Sequence, residues 1–583
     1  MQIFFIPILL FFNLQVISSS DYHERLILRP LNPSLLLASF QFKSNSTLTE
    51  FDQQNFRYFP RSLGQILKHA NTKELHLRFS LGRWDAERWG ARPWGGSKEG
   101  GTGVELWAWI EAETKEKADE MWLTLTNALS GLFCASLNFI DATKTTRPIM
   151  TFQPSGKHAV HTLENLNLLH GALPGEVVCT ENLTPFLKLL PCKAKAGISS
   201  LLDGHKLFDA NWQSMSIDVL PICSESGACQ LQIIQTIDMV LDIQRSKRPR
   251  HNPIPRPIPR EELICDQSKS YNSDDTCLPL NNSNMEEKWS LSEIFGRQLK
   301  GSCPLATDND YTVCIIVPHS REIFTSASSR EHKNEGGDMR CYELAQSEDF
   351  EMLLPQQEIS EKVSLEQPLL YAERSFTGYG QERGGVQAIL MNPSPTNSIE
   401  MVYFETLPWF MKPYLHTLKA RINGLNKDII REMYYRPALD RKRGTLLEIK
   451  MLIPANSTVV LTYDFEKAIL RYTEYPPDAN RGFDVAPAVI TIGNFSIRTT
   501  SLLLPLPTPD FSMPYNVIIL TSTVMALTFG FIFNMIVRRF VALDEAEKWN
   551  FRALRFRLAA AIKMSLGKFL TKIRNYGKHK KTE

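Results

Sequence analysis

Charge imbalance is nearly absent from this 583-residue chain: 65 Lys/Arg against 63 Asp/Glu leave a net charge of +2. So small an excess gives no whole-chain field for holding nucleic acid. The local signatures of catalysis are also missing. There is no H-E-x-x-H, no G-x-S-x-G, no C-x-x-C and no phosphate-cradling glycine loop. The glycine-rich stretch GYGQERGG (378–385) lacks strand–loop–helix order around it and reads as a loop. No catalytic set, metal-ligand spacing or cofactor motif emerges, although a carboxylate dyad would leave no local signature. No cysteine follows Cys341, so disulfides and thiol chemistry belong to the part of the chain before it. Charge is missing altogether from two apolar runs, one at each end.

The first run, Ile3 to Ile17, ends in Ser18–Ser20, small residues suited to a signal peptidase. It reads as a secretory signal peptide over residues 1–20, although the usual basic n-region is missing. The alternative, a buried N-terminal helix, suits a segment apolar all round less well. The second run, Tyr515 to Val537, is long enough to cross a hydrocarbon core of ~30 Å. Beyond it, 13 Lys/Arg stand against 4 Asp/Glu from Arg538 to Glu583. The positive-inside rule therefore places 538–583 in the cytosol and the large preceding region in the lumen or outside the cell.

All ten cysteines lie in that region, which fits an oxidising compartment. Five N-x-Ser/Thr sequons, at Asn45, Asn182, Asn281, Asn456 and Asn494, lie on the same side as candidate glycosylation sites. Spacing offers four internal disulfides: Cys223–Cys229 across a short loop, Cys265–Cys277 and Cys314–Cys341 as local pairs, and Cys192–Cys303 as the remainder. Cys134, inside the apolar GLFCASLNFI, reads as a buried free thiol. Cys179 has three readings: nucleophile, half of a hairpin disulfide with Cys192, or half of a disulfide to another protein.

The same region reads as mainly β. Segments 74–81, 103–112, 215–222, 229–243, 446–454 and 457–465 alternate, or run apolar with β-branched and aromatic residues. One helix is expected over 113–132, with Ala118, Met121, Leu125 and Ala128 on a shared face. No long series of strands alternating with helices appears, so β-sandwich-like modules with a few helices are expected rather than a doubly wound sheet. Residues 245–285 contain RSKRPRHNPIPRPIPREE, which has no apolar face and reads as a flexible Pro/Arg-rich insertion; a polyproline-type ligand is the alternative. The modules on either side would then be 21–244 and 286–514. In the tail, Phe551, Leu554, Leu558, Ile562, Leu566, Phe569 and Ile573 recur every three or four residues, with basic residues mostly elsewhere on the helix. Such a helix beside a span should lie on an anionic leaflet, at about 1 kcal/mol per basic residue, or else dock on a partner protein.

At FCASLNFID (133–141), EVVCTENLTP (176–185) and LPTPDFSMPYNVI (506–518) the chain resembles the PIG-T family of GPI transamidase subunits. ELHLRFSLGRW (74–84), LPWFMKPYLHTL (407–418), LEIKMLIPANS (447–457) and TEYPPDANRGF (473–483) extend the resemblance from about residue 25 to the end of the span. It implies a non-catalytic scaffold in the endoplasmic reticulum membrane, in a complex that attaches GPI anchors to proteins. The partners implied are a caspase-like PIG-K catalytic subunit, other membrane subunits and membrane lipids including GPI. The cysteine of the VVCTENLTP motif is the family's bridging position, which assigns Cys179 to an interchain disulfide. The other reading of the same features is a single-pass cell-surface receptor or adhesion ectodomain. A lumenal hydrolase is a third.

Overall fold

The structure is a computed structural model. It describes residues 21–538 and 551–579 except 33, 159–163, 225–228, 249–264, 266–276, 278–284, 308–311, 327–329, 335–337, 347, 359–364, 379, 427–428, 477 and 509–511. The signal-peptide segment, Asn281 and most of the 245–285 insertion lie outside the described residues. Residues Met1–Pro507 form one compact unit and Thr508–Glu583 a second.

The first unit is mainly β. Seven long strands, β1 (Asp21–Asn32), β2 (Leu35–Thr47), β3 (Thr72–Gly82), β4 (Gly103–Glu111), β5 (Leu166–Leu173), β6 (Trp212–Cys223) and β7 (Cys229–Asp242), dominate a ten-stranded sheet. Its order is Glu331–Lys333, Met339–Tyr342, Val313–Ile316, then β1, β2, β7, β6, β3, β4 and β5. Every pairing in it is antiparallel except that of β1 with Val313–Ile316, where Leu26 faces Val313. Alternation sends Leu75, Leu77 and Phe79 of β3, Leu106 and Ala108 of β4, and Met215 and Ile217 of β6 into one apolar core.

Helices Arg61–His69, Lys115–Phe133 and Thr180–Leu189 contribute to the same core. The second of these begins on Thr114, whose hydroxyl accepts from the Lys117 N–H. Its buried face runs through Ala118, Trp122, Leu125, Leu129 and Phe133. The expected Met121 and Ala128 are only half-buried. The face is turned toward Trp122, whose large ring buries more apolar surface than either.

The sequence places the start of the second module at residue 286. Instead Trp289, Phe295, Val313 and Met352 join the first core, and Val313–Ile316 extends the first sheet. The strands there are only two to four residues long, too short for a visible period. The second module begins near Tyr371 and is a sandwich of two five-stranded sheets. One sheet runs Tyr371–Thr377, Arg383–Asn392, Ser457–Lys467, Met411–Ile422, Leu425–Asn426; the other runs Ile430–Arg436, Thr445–Ile453, Ile399–Leu407, Val489–Ile492, Phe495–Arg498.

The second unit contains helix Ser512–Val537, whose stretch Tyr515–Val537 is long and apolar enough to cross a membrane, and helix Phe551–His579.

Candidate functional site: two free thiols and a polar seam

The structure joins Cys192 to Cys303, Cys223 to Cys229, Cys265 to Cys277 and Cys314 to Cys341. Cys134 and Cys179 are free. Cys134 is exposed, not buried. It ends helix Lys115–Phe133 in the left-handed conformation, φ 52°, so the chain turns outward before its side chain can follow the apolar residues into the core.

Cys179 caps the start of helix Thr180–Leu189 and is partly exposed. The next-turn Asn182 locks it in place. Asn182 Oδ1 accepts from the Cys179 N–H at 2.8 Å, and Asn182 Nδ2 donates to the Phe133 carbonyl at 2.9 Å. One buried amide thus ties the second helix's end to the third helix's start and brings both free thiols to one surface. The Ser136 N–H donates to Glu176 Oε1 at 2.8 Å and closes the same corner. Phe139 and Val177, 61% and 76% exposed, stand on it as an apolar margin.

This geometry corrects the sequon reading at Asn182. The residue is 1% exposed and its Nδ2, the atom that would carry a sugar, donates into the fold. A glycan there would displace the helix cap. Asn456 is exposed in the turn that crosses between the two sheets of the second module, Asn494 is exposed at a hairpin turn, and Asn45 is half-buried with its Nδ2 donating to Asp21 at 2.6 Å.

Periodicity did not reveal the opposite face of the ten-stranded sheet. It is polar, yet buried. His76 lies between Glu74 and Asp218, with one ring nitrogen facing each. Asp218 also accepts from Arg78 at 2.6 Å and Lys98 at 2.7 Å. Burial acts to raise the Asp218 carboxyl, but Arg78 and Lys98 outweigh it and hold it well below the usual range. Burial likewise opposes His158 and His76 at Glu74, and Arg498 and His170 at Glu105; the partners win and hold each carboxyl at about 2. At Asp238 burial wins and raises the carboxyl to about 7, against hydrogen bonds from Ser39 and Trp94.

The second module closes over this face. Arg498 Nε donates to Glu105 at 3.1 Å. Glu448 accepts from the N–H groups of Ile149, Met150 and Thr151 at 2.8 to 3.2 Å. Trp107, Phe152, Phe404, Leu446 and Val489 pack into one cluster across the seam. Gly95 and Gly96, with φ 60° and 75°, let the loop touch the strand at Phe495–Arg498; a Cβ on Gly96 would fall 2.0 Å from the Ser496 carbonyl oxygen. These contacts join the two modules along one seam. A signal was present in β3, where Glu74, His76, Arg78 and Ser80 share one face.

Comparison with known proteins adds the family context. The family described as Gpi16 subunit, GPI transamidase component, matches residues 6–563. The chain is 39% identical to the GPI transamidase component GPI16 of Saccharomyces cerevisiae over 94% of each chain. It is 37% identical to the GPI transamidase component PIG-T homolog of Schizosaccharomyces pombe, over 89% of this chain and 90% of that one. It is 32% identical to the GPI-anchor transamidase component PIGT of Homo sapiens, again over 89% and 90%.

Proposed function

The chain belongs to the Gpi16 family of GPI transamidase components, and from that premise we propose that it is the complex's non-catalytic scaffold, tethered to the catalytic subunit by a disulfide from Cys179. The observation that carries this reading is the state of the thiols. Eight of the ten cysteines are joined within the chain, while Cys134 and Cys179 are unpaired and accessible; of these two, Cys179 sits in the VVCTENLTP motif. A lumenal thiol is normally paired, so an accessible one invites a partner's thiol. The apolar margin at Phe139 and Val177 offers noncovalent contact around the bridge.

In this reading the large unit lies in the lumen of the endoplasmic reticulum, Tyr515–Val537 crosses the membrane, and the basic tail lies in the cytosol. The helix Phe551–His579 rests on the anionic leaflet. The disulfide raises the catalytic partner's effective concentration to about the millimolar range, which secures an interface without creating it.

Cys179→Ser tests the proposal. The high-mass band on non-reducing electrophoresis should vanish, and transamidase activity should fall only in part. An unchanged band would make the thiol free or internal. Complete loss of activity in a still-assembled complex would mark Cys179 as a nucleophile, whose removal typically costs several orders of magnitude in rate.

A further inference from the structure

Where the helix Lys115–Phe133 meets the second module, the loop 142–147 and the turn 436–444 enclose a cleft of about 270 Å³. Its floor is apolar, with Trp122 and Leu446. Its rim is cationic: Arg147, Arg436, Lys442 and Arg443, against a single acid, Asp119. That acid is already engaged by Arg147 at 2.6 Å. The other charges of the turn are also answered elsewhere. Asp440 pairs with Lys412 at 2.8 Å, and Arg441 pairs with Glu474. Among the described residues, no carboxylate lies within ion-pair distance of Arg436, Lys442 or Arg443. Arg443 Nε donates only to the Pro437 carbonyl, at 3.1 Å.

Three cations without a carboxylate partner at one concavity repel one another, and an anion held between them would relieve that repulsion. The backbone holds the turn in place. The Gly444 N–H donates to the Thr143 carbonyl at 3.1 Å. A Cβ at Gly444 would lie 2.5 Å from the Leu407 carbonyl oxygen, so the turn is pressed against both neighbours. A concave cationic rim over an apolar floor focuses positive potential, and forked guanidinium donors match phosphate oxygens.

We propose that this cleft binds a phosphate group, carried either by a small phosphomonoester or by a phospholipid headgroup. Arg436 and Arg443 grip the phosphate oxygens, Lys442 adds charge from the rim, and the Trp122–Leu446 floor takes the adjoining apolar part of the ligand.

The experiment uses the full-length protein in neutral detergent, titrated with inorganic phosphate, with glycerophosphate and with short-chain phosphatidylinositol. The wild type should bind at least one of these probes, more weakly as salt rises. Arg436→Gln combined with Arg443→Gln should raise the dissociation constant about 10- to 100-fold, the loss of one to two charged hydrogen bonds. Arg431→Gln, an exposed residue paired with Glu400, should leave binding unchanged. Binding of the two small anions assigns the site to a free phosphomonoester; binding of the lipid alone assigns it to a headgroup. If the double variant loses its unfolding transition, Lys442→Gln, fully on the surface, carries the test with a smaller loss. The proposal is overturned if no probe binds, if the variants bind like wild type, or if an acidic peptide displaces phosphate equally well.

Discussion

The two faces of the ten-stranded sheet share one alternation and meet opposite surroundings. Leu75, Leu77 and Phe79 point into an apolar core under helices. Glu74, His76, Arg78 and Ser80, one residue out of phase, point at the second module and are just as buried. A sheet with alternating polar and apolar residues normally has a dry face and a wet one. Here the polar face is buried because a second module covers it, and that burial is tolerated because almost every charge has a partner. The apolar face is held by area and tolerates repacking. The polar face is held by matched charges, so removing one partner leaves the others buried and unpaired.

That difference can be broken by mutation, beginning with the largest effect. Asp218→Ala strips His76, Arg78 and Lys98 of their shared partner and should cost about 3–5 kcal/mol, read as a lower urea midpoint of the full-length protein in detergent. An equal loss from Ile217→Val on the other face would erase the distinction. Asn182→Ala should cost about 1–2 kcal/mol through the lost cap and the orphaned Phe133 carbonyl. It should also leave the glycosidase-induced mass shift unchanged, because that sequon carries no sugar in this reading; a smaller shift would overturn the correction at Asn182. Ile217→Val should cost about 1 kcal/mol, the loss of one buried methyl.

The smallest effect is a pH slope. Asp238 has its carboxyl raised to about 7 in the folded protein, so the folded state holds the proton more tightly than the unfolded chain. Its contribution is present below the ordinary carboxylate range and is lost as pH rises toward 7. Glu74 and Glu105, held at about 2, act in the other direction: their contribution is present above the ordinary range and is lost as pH falls toward 2. Asp238→Asn should flatten the decline between pH 5 and pH 7 while leaving the acid limb unchanged. Melting temperatures across that range check it, and an unaltered decline would remove Asp238 from the account.

The long strands were legible because each carries eight or more residues that alternate or run apolar with β-branched and aromatic residues, as in GVELWAWIEA and CQLQIIQTIDMVLDI. The strands at 313–342 were not, because three or four residues cannot display a period and their neighbours are charged loops. The helix over 113–132 was legible in extent but not in facing, since Trp122 outbids Met121 only once a core exists to receive the ring. Cys134 was misplaced for a related reason: an apolar neighbourhood in sequence says nothing about a left-handed turn that throws one residue outward. Asn182 shows the reverse error. Its sequon is a covalent acceptor pattern, whereas its burial depends on a carbonyl 49 residues away.

The sequence by itself offered the apolar runs at each end, the mainly β character and, through EVVCTENLTP and the other runs like it, the family and the cysteine to watch. These depend on local composition and on strings read in order. Only the tertiary structure decided which sheet face is polar and buried, where one module ends, which thiols share a corner, and where cations gather without an acid. Those properties arise between residues far apart in the chain, and no local pattern encodes a distance between them.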